Sequence, residues 1–248
     1  MCGILFTNKS DISKKQFDLA LQDMYHRGPD FQKTLSFGPV KIGHTRLSII
    51  DLNSRSNQPF KIGDFVLIYN GEVYNYLEII KEHKLQSITK SDTEVILEGY
   101  INEGCSFFEK LEGMYSFAIF DFRAELNVIA FRDPSGIKPL YYLNNNKCFI
   151  ISSEIKSILP YCKDLVSPNE KVINAYLNLG FCPEPETAYK SIMALKPGTM
   201  LNYRFDELNK SPVNLQKFSQ SNTLSIPENI NKSNLLIDEA VTANLVAD

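Results

Sequence analysis

The residue best equipped for chemistry is the second one, Cys2 in Met1-Cys2-Gly3-Ile4. Removal of the initiator Met would leave a thiol and a free α-amine on the same residue. A thiol near pKa ~8.5 is mostly protonated at neutral pH, whereas an α-amine near ~7.7 to 8.0 is partly free to take a proton. The amine could therefore activate its own side chain, as a terminal Thr and its amine do in other enzymes. The plainer reading is that Cys2 only precedes Ile4, Leu5 and Phe6 at the head of a buried strand.

Three further positions carry polarity that the local pattern does not require. Arg46 lies in the apolar, β-prone run from Gly43 to Asp51. Burying a guanidinium there is costly unless it meets a carboxylate, from an internal Asp or from a ligand. Asn70-Gly71 follows the apolar stretch Phe65 to Tyr69. It is either a type I′ hairpin turn or a pair of donors, a side-chain amide and a backbone N–H, able to hold an oxyanion. Asp92 sits in Ser91-Asp92-Thr93-Glu94. Its carboxylate either complements a helix dipole or is offered to a substrate ammonium. His26 has no second His at ligand spacing, which favours a structural hydrogen bond over a metal or a base.

Positioning these groups requires the following elements. A strand from Cys2 to Asn8 precedes a helix opened by the capping box Ser13 and Gln16, with Phe17, Ala20, Leu21 and Met24 on one face. Tyr25 to Asp30 is a charged loop. Asn75 and Glu78 cap a short helix to about Lys84, and Ser91 with Glu94 opens another that Gly104 ends. Two strands, Tyr115 to Phe122 and Leu126 to Phe131, form a hairpin. A second charged loop, Arg132 to Lys138, leads into a strand near Tyr141, with another from Lys147 to Ser153. A helix from about Ser167 to Leu179 and a strand from Thr199 to Tyr203 follow. Asn209 to Asn231 reads as loop, and Ser233 opens an amphipathic helix to Asp248. Long apolar hairpins flanked by helices predict stacked antiparallel sheets under helical cover, an α+β fold.

Composition narrows the classes. At 248 residues with 44% apolar side chains the chain can bury a sizeable core. A net charge of -3 without a Lys or Arg run leaves no footprint for nucleic acid or an anionic membrane. No apolar stretch reaches membrane-span length and no signal peptide is evident, so the cytoplasm is expected. Five scattered cysteines, with no C-x-x-C pair, point neither to a disulfide framework nor to a zinc site.

Taken together, Cys2-Gly3-Ile4, His26-Arg27-Gly28-Pro29-Asp30, His44 through Asp51, Asn70-Gly71-Glu72, Asp92-Thr93-Glu94 and Gly136 through Tyr142 closely resemble the N-terminal half of glutamine-hydrolysing asparagine synthetases. The resemblance implies a class II glutamine amidotransferase domain of the N-terminal nucleophile hydrolase fold, an αββα sandwich, over residues 1–208. Residues 209–248 would then be a linker and the first helix of a synthetase domain. By the same resemblance Cys2 is the nucleophile, and Asn70 with the N–H of Gly71 forms the oxyanion hole. Arg46 would take the substrate carboxylate, Asp92 and Glu72 its ammonium, and Leu47, Ile49 and Ile50 the pocket wall. The partner is L-glutamine, and a homodimer is left open.

No cofactor is expected on these residues. The family's Ser-Gly-Gly-x-Asp-Ser pyrophosphate loop does not occur, so ATP and Mg²⁺ would belong to the synthetase domain, where ammonia meets aspartate. Two alternatives stay open: the glutaminase half of a sugar- or polysaccharide-modifying amidotransferase, and a non-catalytic glutamine-binding module.

Overall fold

The computed structural model describes residues 1–89, 91–145, 148–162, 164–204, 207–213 and 225–245. The chain runs β1 (Gly3–Thr7), α1 (Lys14–Gln22), β2 (Phe31–Phe37), β3 (Val40–Arg46), β4 (Phe60–Ile62) and β5 (Phe65–Val73). Next come α2 (Tyr76–His83), α3 (Asp92–Glu103), β6 (Gly113–Asp121), β7 (Asn127–Arg132), β8 (Tyr141–Asn145) and β9 (Cys148–Ser152). It ends with α4 (Glu170–Leu179), β10 (Ile192–Ala194), β11 (Thr199–Arg204), β12 (Glu207–Pro212) and α5 (Ile226–Ala243).

Two six-stranded sheets result, in the orders β10-β8-β9-β1-β3-β2 and β12-β11-β7-β6-β5-β4, and every strand pair within them is antiparallel. Because successive side chains leave opposite faces of a strand, each sheet has an inner and an outer apolar set. Ile4, Phe6, Ile42 and Phe149 of the first sheet meet Val66, Ile68, Ala118 and Phe120 of the second in one core. Leu5, Leu143 and Ile150 face the other way, onto Phe17 and Leu21 of α1. Leu67, Tyr69 and Val73 of β5 turn outward onto Val95 and Ile96 of α3, with Phe107 and Phe108 of a 3-10 turn (Gly104–Lys110) beside them. The order of layers is helix, sheet, sheet, helix, as the sequence predicts.

Local chemistry explains most boundaries. Ser13 and Gln16 form the reciprocal capping box at α1. At α3 only half of the expected box exists: Ser91 accepts from the N–H of Thr93, while Glu94 turns back to accept from the N–H groups of Ile88 and Thr89. Asn75 precedes α2 without capping it, because its side chain bonds the backbone of Lys110 and Glu112. The predicted turn at Asn70-Gly71 is a continuous strand, paired through Asn70↔Ser116 and Gly71↔Tyr115. A Cβ at position 71 would lie 2.2 Å from the carbonyl oxygen of Met114, so the close approach of β6 explains the glycine.

The C-terminal third departs more from the pattern. Glu207–Pro212, whose last four residues fall in the stretch read as loop, forms β12 against β11 despite its polar residues, because backbone hydrogen bonds at a sheet edge need no apolar side chain. The last helix begins at Ile226, seven residues before Ser233, since Ser225 and Glu228 make a capping box with Pro227 in the first turn. None of its described side chains is buried. The remainder of the predicted loop at 214–224, Lys147 of the predicted strand and residues 246–248 of the predicted helix lie outside the described residues.

The rings of Phe6 and Phe120 stand 4.8 Å apart across the inner core, both fully buried. Phe120→Ala should therefore lower unfolding stability by about 3 to 5 kcal/mol, the usual cost of deleting a buried ring. Urea unfolding followed by circular dichroism measures it, and a loss below about 1 kcal/mol would mean that this contact does not hold the sheets together.

Candidate active site

β1 and β3 pair through Gly3↔Thr45, which leaves Cys2 and Arg46 side by side where both strands end. The register of β5 sends Val66, Ile68 and Asn70 to the inner face, so Asn70 reaches the same edge from the opposite sheet. Asp92 comes from a third direction, as the first residue of α3 packed on the outer face of β5. These elements enclose a cleft of about 270 Å³. Cys2, Asn70 and Gly71 line it, as do Arg46, Leu47, Ile49, Ile50, Glu72 and Asp92. All nine residues singled out in the sequence thus converge on one cleft.

The position of Cys2 is held from several sides. Its carbonyl accepts from Nε of buried Arg27 at 2.9 Å, and Arg27 is anchored by Glu154 at 3.1 Å. Glu154 also accepts from or pairs with His26 at 2.9 Å, so His26 has the structural role its isolation suggested. The Sγ atom lies 3.4 Å from the N–H of Leu47 and 3.7 Å from its carbonyl oxygen. Burial pushes the thiol above its ordinary pKa, only partly opposed by the Leu47 N–H. A thiol in this place is neutral at pH 7 and needs a base. The α-amine of Met1 lines the same cleft and is held below its usual value, chiefly by desolvation, with the charges of Lys138 and Arg27 adding to it.

Arg46 resolves differently from expectation. Its guanidinium donates to carbonyl oxygens: those of Asn53 at 3.1 Å, Ile50 at 3.2 Å and Asp51 at 2.5 Å, and the side-chain carbonyl of Asn57 at 2.6 Å. These bonds curl Leu47 to Asn53 around the charge, which explains why the predicted strand stops at Arg46 and why Ile49 and Ile50 form cleft wall instead. The carbonyl cage takes up the Nη1 and Nη2 donors without neutralising the cation, so the charge remains available to an anionic ligand.

Asn70 is 1% exposed, and among the described residues neither its amide nitrogen nor its oxygen has a hydrogen-bond partner. Buried polar atoms are paired in the great majority of cases, so a free carboxamide at the mouth of a cleft marks a group kept for a ligand. Asp92 accepts from the Tyr69 hydroxyl at 2.6 Å and the N–H of Val73 at 3.1 Å. Desolvation raises its pKa to about 6, against the lowering effect of those donors.

Several cleft residues escape sequence reasoning, among them Gln58, Tyr69, Thr93 and Lys138. Lys138 carries a usable signal, a lysine in a charged loop between apolar strands. Asp133 accepts from the N–H groups of Ser135, Ile137 and Lys138, and Arg132 donates to the carbonyls of Gly136 and Lys138, so the loop is built to present it. Tyr69 and Gln58 carry no signal, since each fits an ordinary strand or turn. Among the described residues no His, Cys, Asp and Glu side chains cluster to hold a metal ion, and no helix is long and apolar enough to cross a membrane.

The family described as Glutamine amidotransferase domain matches residues 1–214. Asparagine synthetase (glutamine-hydrolysing) 3 of Bacillus subtilis is 31% identical over 261 aligned positions, covering 100% of this chain and 42% of that protein. Asparagine synthetase B (glutamine-hydrolysing) of Escherichia coli is 35% identical over 175, covering 66% of this chain and 31% of that one. The chain spans less than half the length of these curated relatives. Among solved structures, the glutamine phosphoribosylpyrophosphate amidotransferase of B. subtilis superposes with a TM-score of 0.61 at 18% identity, over 89% of this chain and 50% of its own. That likeness shows the same fold, two antiparallel sheets packed between helices.

If the free carboxamide of Asn70 is a ligand group, Asn70→Ala should leave the melting temperature unchanged or slightly raised, because the variant buries two fewer unpaired polar atoms. Differential scanning calorimetry checks this. A fall of more than a few degrees would mean that the amide supports the fold.

Proposed function

The chain belongs to the glutamine amidotransferase domain family, and from that premise we propose that Cys2, freed of Met1, is the nucleophile that hydrolyses glutamine to glutamate and ammonia. The observation that carries the reading is the convergence of Cys2, Arg46, Asn70 and Asp92 on one cleft from the head of β1, β3, β5 and α3.

The chemistry follows from the placement. Glutamine is a zwitterion with a carboxamide at its far end. Arg46 takes the α-carboxylate, and Asp92 with Glu72 takes the α-ammonium, which leaves the carboxamide facing the sulfur. The terminal amine removes the thiol proton, and the sulfur adds to the amide carbon. Negative charge then develops on the amide oxygen, which receives hydrogen bonds from the Asn70 side chain and the N–H of Gly71. The protonated amine returns its proton to the departing nitrogen, the C–N bond breaks, and ammonia leaves behind a thioester. Water activated by the same amine attacks the thioester through a second oxyanion, and glutamate is released with the thiol restored.

In the complete protein the ammonia would pass to a synthetase domain that aminates aspartate to asparagine with ATP and Mg²⁺ held outside these 248 residues. The names and greater length of the relatives support that acceptor. We place the reaction in the cytoplasm, where the five free thiols would stay reduced.

Cys2→Ala should abolish ammonia release from glutamine in a coupled glutamate assay, and equal rates in mutant and parent would remove Cys2 from the mechanism. An uncleavable extension ahead of Cys2 should silence turnover while leaving the thiol able to react with an alkylating agent. Asn70→Ala should lower kcat by about 10² to 10³, as loss of one oxyanion donor does elsewhere, with KM little changed.

A further inference from the structure

The outward face of β5 carries a residue that the reaction scheme leaves unused. Tyr69 is 2% exposed, and its hydroxyl donates to Oδ2 of Asp92 at 2.6 Å. Its backbone is clamped on both sides. The N–H donates to the side-chain oxygen of Gln58 at 2.6 Å, and the carbonyl lies 3.0 Å from Nε2 of His44. Burial holds the His44 pKa near 3, so the imidazole is neutral. A carbonyl only accepts, and Nε2 therefore carries the ring proton. Gln58 is held in turn by a bond from its amide to the hydroxyl of Thr93, the residue after Asp92. The tyrosine ring thus has one place to be, and its hydroxyl points at one carboxylate.

We propose that Tyr69 is a positioning residue for glutamine selection: it orients the Asp92 carboxylate toward the substrate ammonium and keeps that carboxylate ionised. The inference rests on the assignment of Asp92 to the ammonium given above.

The physical case begins with the cost of burying the acid. At 3% exposure the carboxylate loses most of its hydration, and burial favours its neutral form. Glu72, on β5 like Tyr69, adds repulsion. The thiol of Cys2, the cation of Arg46, the ammonium of Lys138 and the terminal amine share the cleft with it. Against burial stand the Tyr69 hydroxyl at 2.6 Å, the Val73 N–H at 3.1 Å and the Ser91 hydroxyl at 3.4 Å, with the Thr93 N–H adding to them. The two N–H groups are present with any side chain. Of the two hydroxyls, that of Tyr69 makes the shorter bond. Burial and the Asp92 charge push the phenol far above its ordinary pKa, so it remains a donor throughout the working range. A protonated Asp92 could not pair with an ammonium, and the site would lose grip on free amino acids as the pH falls toward the Asp92 midpoint.

Tyr69→Phe removes one hydroxyl and keeps the ring. With carboxyl carbons labelled and the Asp92 signal assigned against Asp92→Asn, an NMR titration should place its midpoint near 6 in the parent and about one pH unit higher in the variant, the usual size for one hydrogen bond to a charge. From the ionised fractions, kcat/KM for glutamine should fall about fivefold near pH 6, through KM rather than kcat, and recover toward pH 8. Recovery separates loss of ionisation from damage to the fold, which no change of pH would mend. An unchanged midpoint overturns the proposal. So does a raised midpoint with unchanged KM at every pH, which would detach Asp92 from the substrate. Failure of the glutaminase reading looks different, as ammonia release independent of Cys2, and the titration decides the Tyr69 contact even then.

Discussion

Face-to-face packing of the two sheets is the constraint from which the site follows. Ile4 and Phe6 of β1 and Val66 and Ile68 of β5 lie in the same apolar layer. Once those positions are buried, strand alternation leaves no freedom in where Cys2 and Asn70 emerge. A one-residue slip of β5 would turn Asn70 outward and send Tyr69 toward the sulfur. The spacing of Cys2 and Asn70 is therefore a consequence of hydrophobic burial, with polar contacts refining it. Arg27 is the clearest refinement, since it ties the Cys2 carbonyl to the charged loop and to Glu154.

The cleft concentrates charge where the surrounding layers are apolar, and each charge is stabilised in a way that leaves it usable. Arg46 is caged by carbonyl oxygens, which take up its Nη1 and Nη2 donors but leave its charge. Asp92 takes hydrogen bonds from a phenol and a backbone amide, which support its ionised form without a cation beside it. A direct Arg46–Asp92 pair would stabilise both and leave nothing for an amino acid to bind. Holding the two apart on β3 and α3 leaves both charges open to the cleft, the arrangement that the proposed binding of an amino-acid zwitterion needs.

How much of this was legible in the sequence depends on the kind of signal. Arg46 was visible because a guanidinium is out of place in an apolar run, whereas Cys2, Asn70, Gly71 and Asp92 each had an ordinary local reading and stood out through the motifs that carry the family resemblance. The helices at 14–22 and 92–103 were visible from their capping residues and apolar spacing. What stayed hidden was decided by distant partners. Nothing local makes β2 or β12 a strand; each is completed by the exposed edge of a neighbour. Asn-Gly at 70 and 71 reads as a turn because turn statistics are local, whereas β6 on one side keeps the chain extended. Tyr69 was invisible for the opposite reason, since a tyrosine at the end of an apolar strand breaks no rule.

The proposed nucleophile, Cys2, sits where burial acts on both a thiol and an amine. Desolvation raises the Cys2 thiol and lowers a terminal amine in the same cleft, so each shift separately favours the neutral form. Both shifts lean toward the neutral forms from which proton transfer between a thiol and an amine starts. In the proposed reaction a histidine base would need a third group to set its tautomer, whereas the α-amine has none to set and would be bonded to the residue it activates. The fold then has only to exclude water and to place the carboxamide. That is why the elements around Cys2 are rigid strands and hydrogen-bonded loops, and why its position at the second residue of the chain carries more information than any spacing between motifs.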